Sequence, residues 1–171
     1  MKSRVLIITL LGLLYLPGVV RFTPAQTSQP TAVAQPLKTV TLRIGKATLE
    51  AEVAVTREET SRGLGFRPRL ADNAGMIFVL PTERATFWMK DCLISLSVAF
   101  LDKDGVILEI HDMMAPDPTK QIDDSSLPLT RSDSDKVAYA IETNLHWFAL
   151  NGIKLGEKID PPPEILRTLK R

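Results

Sequence analysis

Apolar side chains recur at every second position in the stretch that follows residue 38, and this period of two limits the fold more than any other feature. Val40, Leu42 and Ile44 alternate with polar residues, and after Gly45-Lys46 the alternation resumes over residues 47–55. Successive side chains of a β-strand point to opposite faces of a sheet. The pattern therefore predicts a β-hairpin that buries one face.

Further short apolar segments follow, each bounded by Gly, Pro, Asp or Asn, and we interpret them as strands over residues 76–80, 86–90, 95–101, 106–110 and 136–143. Many short strands separated by turns are typical of sandwiches and barrels. Thr56 and Glu59 have the spacing of a helix capping box, and a second short helix is predicted over residues 145–150 with Asn144 as its N-cap. Residues 113–135 are expected to form a polar, irregular loop. The predicted fold is mainly β, a small sandwich or jelly-roll-like barrel with one or two short helices.

The first residues have the composition of a signal peptide. Lys2 and Arg4 precede an uncharged apolar run over residues 5–16, and small residues allow cleavage before Gln26 or before Gln35. The apolar stretch is shorter than the roughly 20 residues that a membrane-spanning helix needs, which favours cleavage over a retained anchor. A lipid anchor at the cleavage point would need a cysteine there, and the only cysteine in the sequence is Cys92. We therefore expect a periplasmic or secreted protein.

The domain organisation follows from this interpretation. Residues 1–34 are expected to form a signal peptide and linker, residues 38–160 a single β-rich domain, and residues 161–171 a C-terminal tail. Removal of the leader takes away three basic residues and no acid, so the formal net charge changes from +1 to −2. A chain without a strongly basic face is poorly suited to bind nucleic acid. Contact with a membrane is expected only through the N-terminal signal segment.

The sequence lacks the usual motifs for metals and cofactors. His111 and His146 lie in different predicted elements, without His-Glu-x-x-His or Cys-x-x-Cys spacing, so no metal site is expected. Residues 102–105 begin like a calcium loop, but the closing glutamate position holds Met113, and we interpret the segment as a turn. There is no P-loop and no dinucleotide fingerprint, so we expect no cofactor.

The candidate site is suggested by a large apolar side chain and a charged side chain that are predicted to share one face of a strand. In an extended chain over residues 87–90, Trp88 and Lys90 share one face. One interpretation is structural: a loop or short helix covers Trp88, and the stem of Lys90 passes over it. The other is functional: a shallow groove forms here, in which the indole ring stacks on a saccharide or peptide and nearby charges orient it. The groove residues are then Arg67, Trp88, Lys90 and Asp91.

Cys92 and His111 provide an alternative, catalytic hypothesis. Cys92 would act as the nucleophile, and His111, expected directly after a strand, would act as a general base oriented by Asp112 or Asp91. Neighbouring residues of a strand point in opposite directions, so Asp112 is poorly placed to orient His111. The structural alternative is that Cys92 is a small buried hydrophobic residue and His111 a solvated loop residue.

Several short motifs resemble those of a known family. They are Gly63-Leu64, Arg67, Gly75-Met76-Ile77-Phe78, Phe87-Trp88-Met89-Lys90-Asp91, Ala99-Phe100-Leu101-Asp102 and Asp104-Gly105-Val106-Ile107. In order and spacing they resemble the uncharacterised prokaryotic family called domain of unknown function 192. The resemblance implies a compact, mainly β fold of the jelly-roll or sandwich kind, often exported, and it supplies no substrate, cofactor or catalytic residue. This chain has Leu96-Ser97 where the family often has Leu-Asp, and Asp91-Cys92 where it has Asn-Thr, which favours Cys92 as a replacement for a small polar residue.

Three classes of function follow from these observations. The leading hypothesis is a non-catalytic binding or accessory module of the cell envelope that takes a small ligand, a saccharide or a peptide. The alternatives are an enzyme of unknown chemistry that uses Cys92 and His111, and a structural envelope protein. An open groove at Trp88 would favour the binding module, and convergence of Cys92, His111 and a carboxylate would favour the enzyme.

Overall fold

The structure is a computed structural model that describes residues 36–81, 84–120 and 122–167. The predicted signal peptide and linker over residues 1–34 lie outside the described residues. Within the described part, no helix is long and apolar enough to span a membrane.

Short β-strands dominate the described part of the chain. The strands are β1 (Thr39–Ile44), β2 (Ala47–Ala54), β3 (Ala74–Val79), β4 (Thr86–Trp88), β5 (Leu96–Leu101), β6 (Ile107–Met113), β7 (Leu129–Arg131), β8 (Tyr139–Asn144) and β9 (Ile159–Asp160). The helices are α1 (Arg57–Arg62), α2 (Trp147–Leu150) and α3 (Glu164–Arg167), and Asp124–Ser126 forms a 3-10 turn. The predicted mainly β class is confirmed.

Seven of these strands form one curled sheet in the order β6-β5-β8-β3-β2-β1-β9, and β4 pairs with β7 in a small second sheet. Neighbouring strands of the large sheet are antiparallel except β2 and β3, which run parallel and are connected through α1. The two edges meet where the amide of Ile107 donates to the carbonyl of Glu157 at 2.8 Å and the amide of Ile159 donates to the carbonyl of Gly105 at 3.0 Å. The curled sheet forms a half-barrel, and the predicted barrel-like fold with short helices is confirmed.

The hydrophobic core is divided between the two faces of this sheet. Ile77 of β3 belongs to a cluster on the inner face, to which α2 adds Trp147 and Phe148. Its neighbour Phe78 belongs to a cluster on the outer face, which also contains Leu64 from the segment after α1. Both faces are covered, which explains why every residue of β5 is buried.

Several local predictions are confirmed. β1 and β2 form a hairpin whose turn contains Gly45 at a φ of 58°. The Thr56 hydroxyl accepts a hydrogen bond from the Glu59 amide, and the Glu59 carboxylate accepts one from the Thr56 amide, so the capping box is present. Residues 102–105 form a turn, in which the Asp102 carboxylate accepts a hydrogen bond from the Asp104 amide at 2.9 Å.

Three other local predictions are wrong. The loop over residues 113–135 is not irregular throughout, because β7 lies within it and pairs with β4. His111 lies inside β6 rather than after a strand. Asn144 does not cap α2: its side-chain amide donates to the carbonyl of Ala71 at 2.9 Å, and α2 starts after His146, which has a left-handed backbone conformation. Each error has the same cause, since contacts distant in sequence decided the local structure.

The segment after β9 packs onto the domain. A Cβ built on Gly105 would lie 2.8 Å from Cδ of Pro163, so the chain passes very close to that turn. Leu166 of α3 is 1% exposed and belongs to the inner cluster. The described part of the predicted C-terminal tail is thus attached to the core.

Candidate functional site

Trp88 lies at the side of a pocket of about 280 Å³ on the outer face of the sheet. The pocket is bounded by the end of α1, by β4 with the residues that follow it, and by β8. Its lining includes Arg62, Gly63, Arg84, Trp88, Lys90, Cys92 and Glu142.

The carboxyl group of Glu142 lies in an apolar environment. It lies in β8 between Met76 of β3 and Val98 of β5, and it is only 5% exposed. No hydrogen bond or ion pair joins its carboxyl group to another residue of the described part of the chain. Burial raises the pKa of Glu142 to about 8, because the charged form loses its hydration. At neutral pH the group is therefore mainly a neutral acid.

The end of α1 lies directly against this carboxyl group. Gly63 ends the helix with a φ of 48°, a conformation that glycine adopts without strain. A Cβ built on Gly63 would be 3.7 Å from Oε2 of Glu142 and 3.6 Å from the ring of Phe78. The helix end thus reduces the access of water to the acid while the pocket keeps one side open.

Residues 87–90 separate into two faces, as the alternation predicts. Phe87 packs edge-on against Phe78, with 5.1 Å between the ring centroids, and Met89 is 3% exposed. Trp88 on the opposite face is 44% exposed, and Nζ of Lys90 lies 5.3 Å from the centroid of its ring. A large part of the indole is therefore accessible to a ligand.

Lys90 connects the pocket to the long loop after β6. Its ammonium group forms an ion pair with Asp124, and this hydrogen bond raises the pKa of Lys90. The contact fixes the lysine beside Trp88. An ammonium group has three hydrogen-bond donors, so the pair with Asp124 leaves donors for a ligand.

The other two predicted groove residues lie elsewhere. Arg67 makes two hydrogen bonds to the carboxylate of Glu52, at 2.5 and 2.8 Å, and this pairing raises the pKa of the guanidinium. Asp91 is exposed, has a φ of 58°, and accepts a hydrogen bond from the Phe66 amide through its backbone carbonyl at 2.7 Å. Of the four predicted residues, the structure places Trp88 and Lys90 at the pocket, and Arg67 and Asp91 are not among its lining residues.

Cys92 and His111 do not meet in the described structure. Cys92 is half-buried in the pocket wall, and burial is the main factor that raises its pKa to about 11, with smaller contributions from Glu142 and Asp91. His111 lines a different surface depression, and its Nε2 is 2.9 Å from Oε2 of Glu109. The thiol is therefore neither ionised at neutral pH nor paired with the proposed base. Within the described residues, no group of three or more His, Cys, Asp or Glu side chains is arranged to hold a metal.

Asp112 is paired with a histidine that the sequence did not suggest. Nδ1 of His146 is 2.8 Å from Oδ2 of Asp112, and the Ser97 hydroxyl donates to Oδ1 of the same carboxylate. The backbone amide of His146 donates to the Ser97 hydroxyl at 2.7 Å. Ser97 is fully buried, so this small network anchors the entrance to α2 on β5.

The sequence profile of the DUF192 family, described as "Uncharacterized ACR", matches residues 40–161. The chain belongs to this family. The resemblance inferred from the short motifs is thereby confirmed. No curated protein matches the sequence.

Solved structures share the fold of this DUF192 domain. One is a proposed transcription regulator from Sinorhizobium meliloti 1021, with 24% identity over 73% of this chain and 95% of that one, and a TM-score of 0.63. Another is a protein of unknown function from Novosphingobium aromaticivorans DSM 12444, with 26% identity over 79% of this chain and 94% of that one, and a TM-score of 0.64. These similarities support the half-barrel fold, and no function is inferred from them.

Glu142 is the site residue that sequence reasoning missed. The predicted strand over residues 136–143 contains one acid within an otherwise apolar run, Ala140-Ile141-Glu142. In a strand buried on one face only, that acid would simply point to water. Its significance appears only when the second face of β8 is also covered.

Proposed function

We propose that this DUF192 protein is a non-catalytic binding module of the cell envelope that holds a small ligand, in the first place a saccharide, in the pocket beside Trp88. The observation that carries the proposal is one pocket that joins a half-exposed indole to a buried carboxyl group without a partner among the described residues. Sugar rings offer an apolar face for the indole and hydroxyl groups for the acid.

The unpartnered acid supports a binding role because it does not stabilise the fold. Placing a polar group in an apolar environment without a hydrogen bond is unfavourable by roughly 1–3 kcal/mol. Strongly perturbed acids in pockets are candidates for functional sites for this reason. A ligand that bonds to Glu142 would remove the penalty and gain affinity from it.

The size of the pocket fits a small ligand. Small-molecule sites span roughly 300–1,000 Å³, and a pocket of about 280 Å³ lies just below that range. This favours one or two sugar rings over a long peptide, which usually binds along a groove or a strand edge.

The lining favours binding over hydrolysis of a saccharide. Glycoside hydrolases generally use a pair of carboxyl groups, whereas Glu142 is the only acid among the described residues that line this pocket. Cys92 beside it is held as a thiol, and the thiolate is the nucleophilic form.

A thermal-shift screen of the full chain tests the binding role. The ligands are saccharides, peptidoglycan fragments, short peptides and divalent metals, and a saccharide is expected to raise the melting temperature because it binds only the folded state. Trp88→Ala should weaken that binding by about tenfold, or about 1.4 kcal/mol, without unfolding the protein, since the indole is half-exposed. Leu150→Ala is the control, because Leu150 is 82% exposed and does not line the pocket. Stabilisation by peptides or metals alone, or by no ligand class, would contradict the proposal.

The envelope location is proposed on the basis of the N-terminal sequence. Lys2 and Arg4 followed by the apolar run are typical of a cleaved export signal. Cell fractionation combined with N-terminal sequencing should find a periplasmic or secreted protein that begins at Gln26 or Gln35. A cytosolic protein that retains Met1 or Lys2 would contradict the location and leave the pocket unaffected.

A further inference from the structure

We infer that the pocket beside Trp88 selects a saccharide that carries a carboxylate over the neutral and the amino sugar of the same ring. This inference rests on the proposed binding function and adds the charge of the ligand to it. It is carried by three cationic side chains that line the same pocket as one buried acid.

The cations approach the pocket from two sides. Arg62 is in the last turn of α1, and Arg84 and Lys90 lie on either side of β4. Arg62 is exposed, and no acid of the described chain forms an ion pair with it. Lys90 is paired with Asp124 and keeps further donors beside the indole. A carboxylate on a ring stacked against Trp88 is therefore within a cationic rim, where charge-assisted hydrogen bonds are strong.

Glu142 does not cancel this positive charge. Arg62, Arg84, Lys90 and the Cys92 thiol share the pocket lining with Glu142, and its neighbours in the sheet, Met76 and Val98, are apolar. As a neutral acid it donates an O–H to an acceptor, which a sugar hydroxyl or a carboxylate oxygen provides. In its ionised form it would repel the same ligand.

The direction of the pH dependence follows from this arrangement. Because the pKa of Glu142 is about 8, an anionic sugar should bind well at pH 6.5 and lose affinity as the pH rises through 8 to 9.5. Coupling of one pKa unit between the acid and the ligand corresponds to about a tenfold change in affinity. Glu142→Gln keeps an amide donor and has no charge to gain, so its affinity should stay constant over the same range.

Three sugars with the same ring and different charge provide the test: glucuronate, glucose and glucosamine. The full chain is titrated with each at pH 6.5 while the aromatic C–H signals of its two tryptophans are followed by NMR. Trp147 is 3% exposed and donates through Nε1 to Asn73 at 3.1 Å, so its signals serve as an internal reference for an intact fold. Glucuronate should shift the Trp88 signals with an affinity about tenfold higher than that of glucose, and glucosamine should bind most weakly.

Substitutions assign the effect to particular side chains. Arg62→Met should remove most of the preference for glucuronate over glucose, whereas Arg57→Met, in the same helix and outside the pocket lining, should keep it. The pH series from 6.5 to 9.5 is recorded with glucuronate for the wild-type protein and for Glu142→Gln.

The outcomes separate the inference from the proposed function. Tighter binding of glucosamine, equal binding of the three sugars, or glucuronate binding that strengthens with pH would overturn the charge selection and leave the saccharide site standing. If no sugar moves the Trp88 signals while the Trp147 signals show a folded protein, the proposed saccharide function itself is wrong.

Discussion

Glu142 is buried among apolar residues of the outer cluster, and its environment opposes its ionisation. In the unfolded chain a glutamate has a pKa of about 4.5, and in the folded protein the pKa is about 8. Below pH 4.5 both states are protonated and the acid has no effect on stability. Between pH 4.5 and 8 only the unfolded chain loses the proton, so the free energy of unfolding falls as the pH rises, and above pH 8 the loss is complete.

Glu142→Gln should therefore stabilise the protein at neutral pH. We expect the free energy of unfolding to rise by about 3 kcal/mol at pH 7, with no gain at pH 4, because the amide has no charge to bury. Urea denaturation of both proteins over this pH range measures the difference. Glu50→Gln, at an exposed position of β2, should show neither effect. Equal stability of Glu142→Gln and the wild-type protein at pH 7 would contradict the buried-acid description.

At the scale of elements, β3 is the strand on which the sheet depends most, because it joins the parallel and antiparallel parts. It pairs with β2 on one side and with β8 on the other. Gly75 allows this approach: a Cβ at that position would lie 2.5 Å from the backbone carbonyl oxygen of Glu142 and 3.3 Å from Leu49. The close packing of β3 against β8 thus also positions the backbone of the pocket acid.

Gly75→Ala should be strongly destabilising. The added methyl group meets backbone rather than a flexible side chain, so we expect a loss of about 3 kcal/mol in the free energy of unfolding. Gly152→Ala is the matched control, because a Cβ there meets no atom within 4 Å and only the positive φ of 69° opposes it. Its cost should be about 1 kcal/mol. Denaturant unfolding that gives equal losses would show that β3 and β8 are not so closely packed.

For the molecule as a whole, we expect closure of the half-barrel to depend on the chain after β9. The edges of the sheet meet through the amides of Ile107 and Ile159, and Leu166 packs into the inner cluster. Leu166→Ala should lower the free energy of unfolding by about 2–4 kcal/mol and speed hydrogen exchange at those two amides. Leu150→Ala removes the same number of atoms from an exposed position and should change stability by less than about 0.5 kcal/mol. Unchanged exchange in Leu166→Ala would mean that the closure is independent of the C-terminal segment.

The sequence by itself determined the features that depend on near neighbours in the chain. Alternation from Val40 onward predicted the first hairpin, and Thr56 and Glu59 predicted the helix start. The alternation around Trp88 predicted that Trp88 lies on the face opposite Phe87 and Met89. These signals are local, since a strand period or a capping box involves residues only a few positions apart. The motifs that resemble the DUF192 family could be identified for the same reason, because each is a short run of neighbouring residues.

Tertiary structure alone decided the pairing of distant segments, and with it the candidate site. No local sequence pattern predicts three of the pairings. They are the parallel pairing of β2 with β3, the pairing of β4 with β7, and the edge contact between residues 105–107 and 157–159. Glu142 is a buried acid because both faces of β8 are covered. Arg67 lies outside the pocket lining and instead forms a hydrogen bond with Glu52. Burial and partner choice are set by contacts across many residues of sequence, and the chemistry of this pocket depends on both.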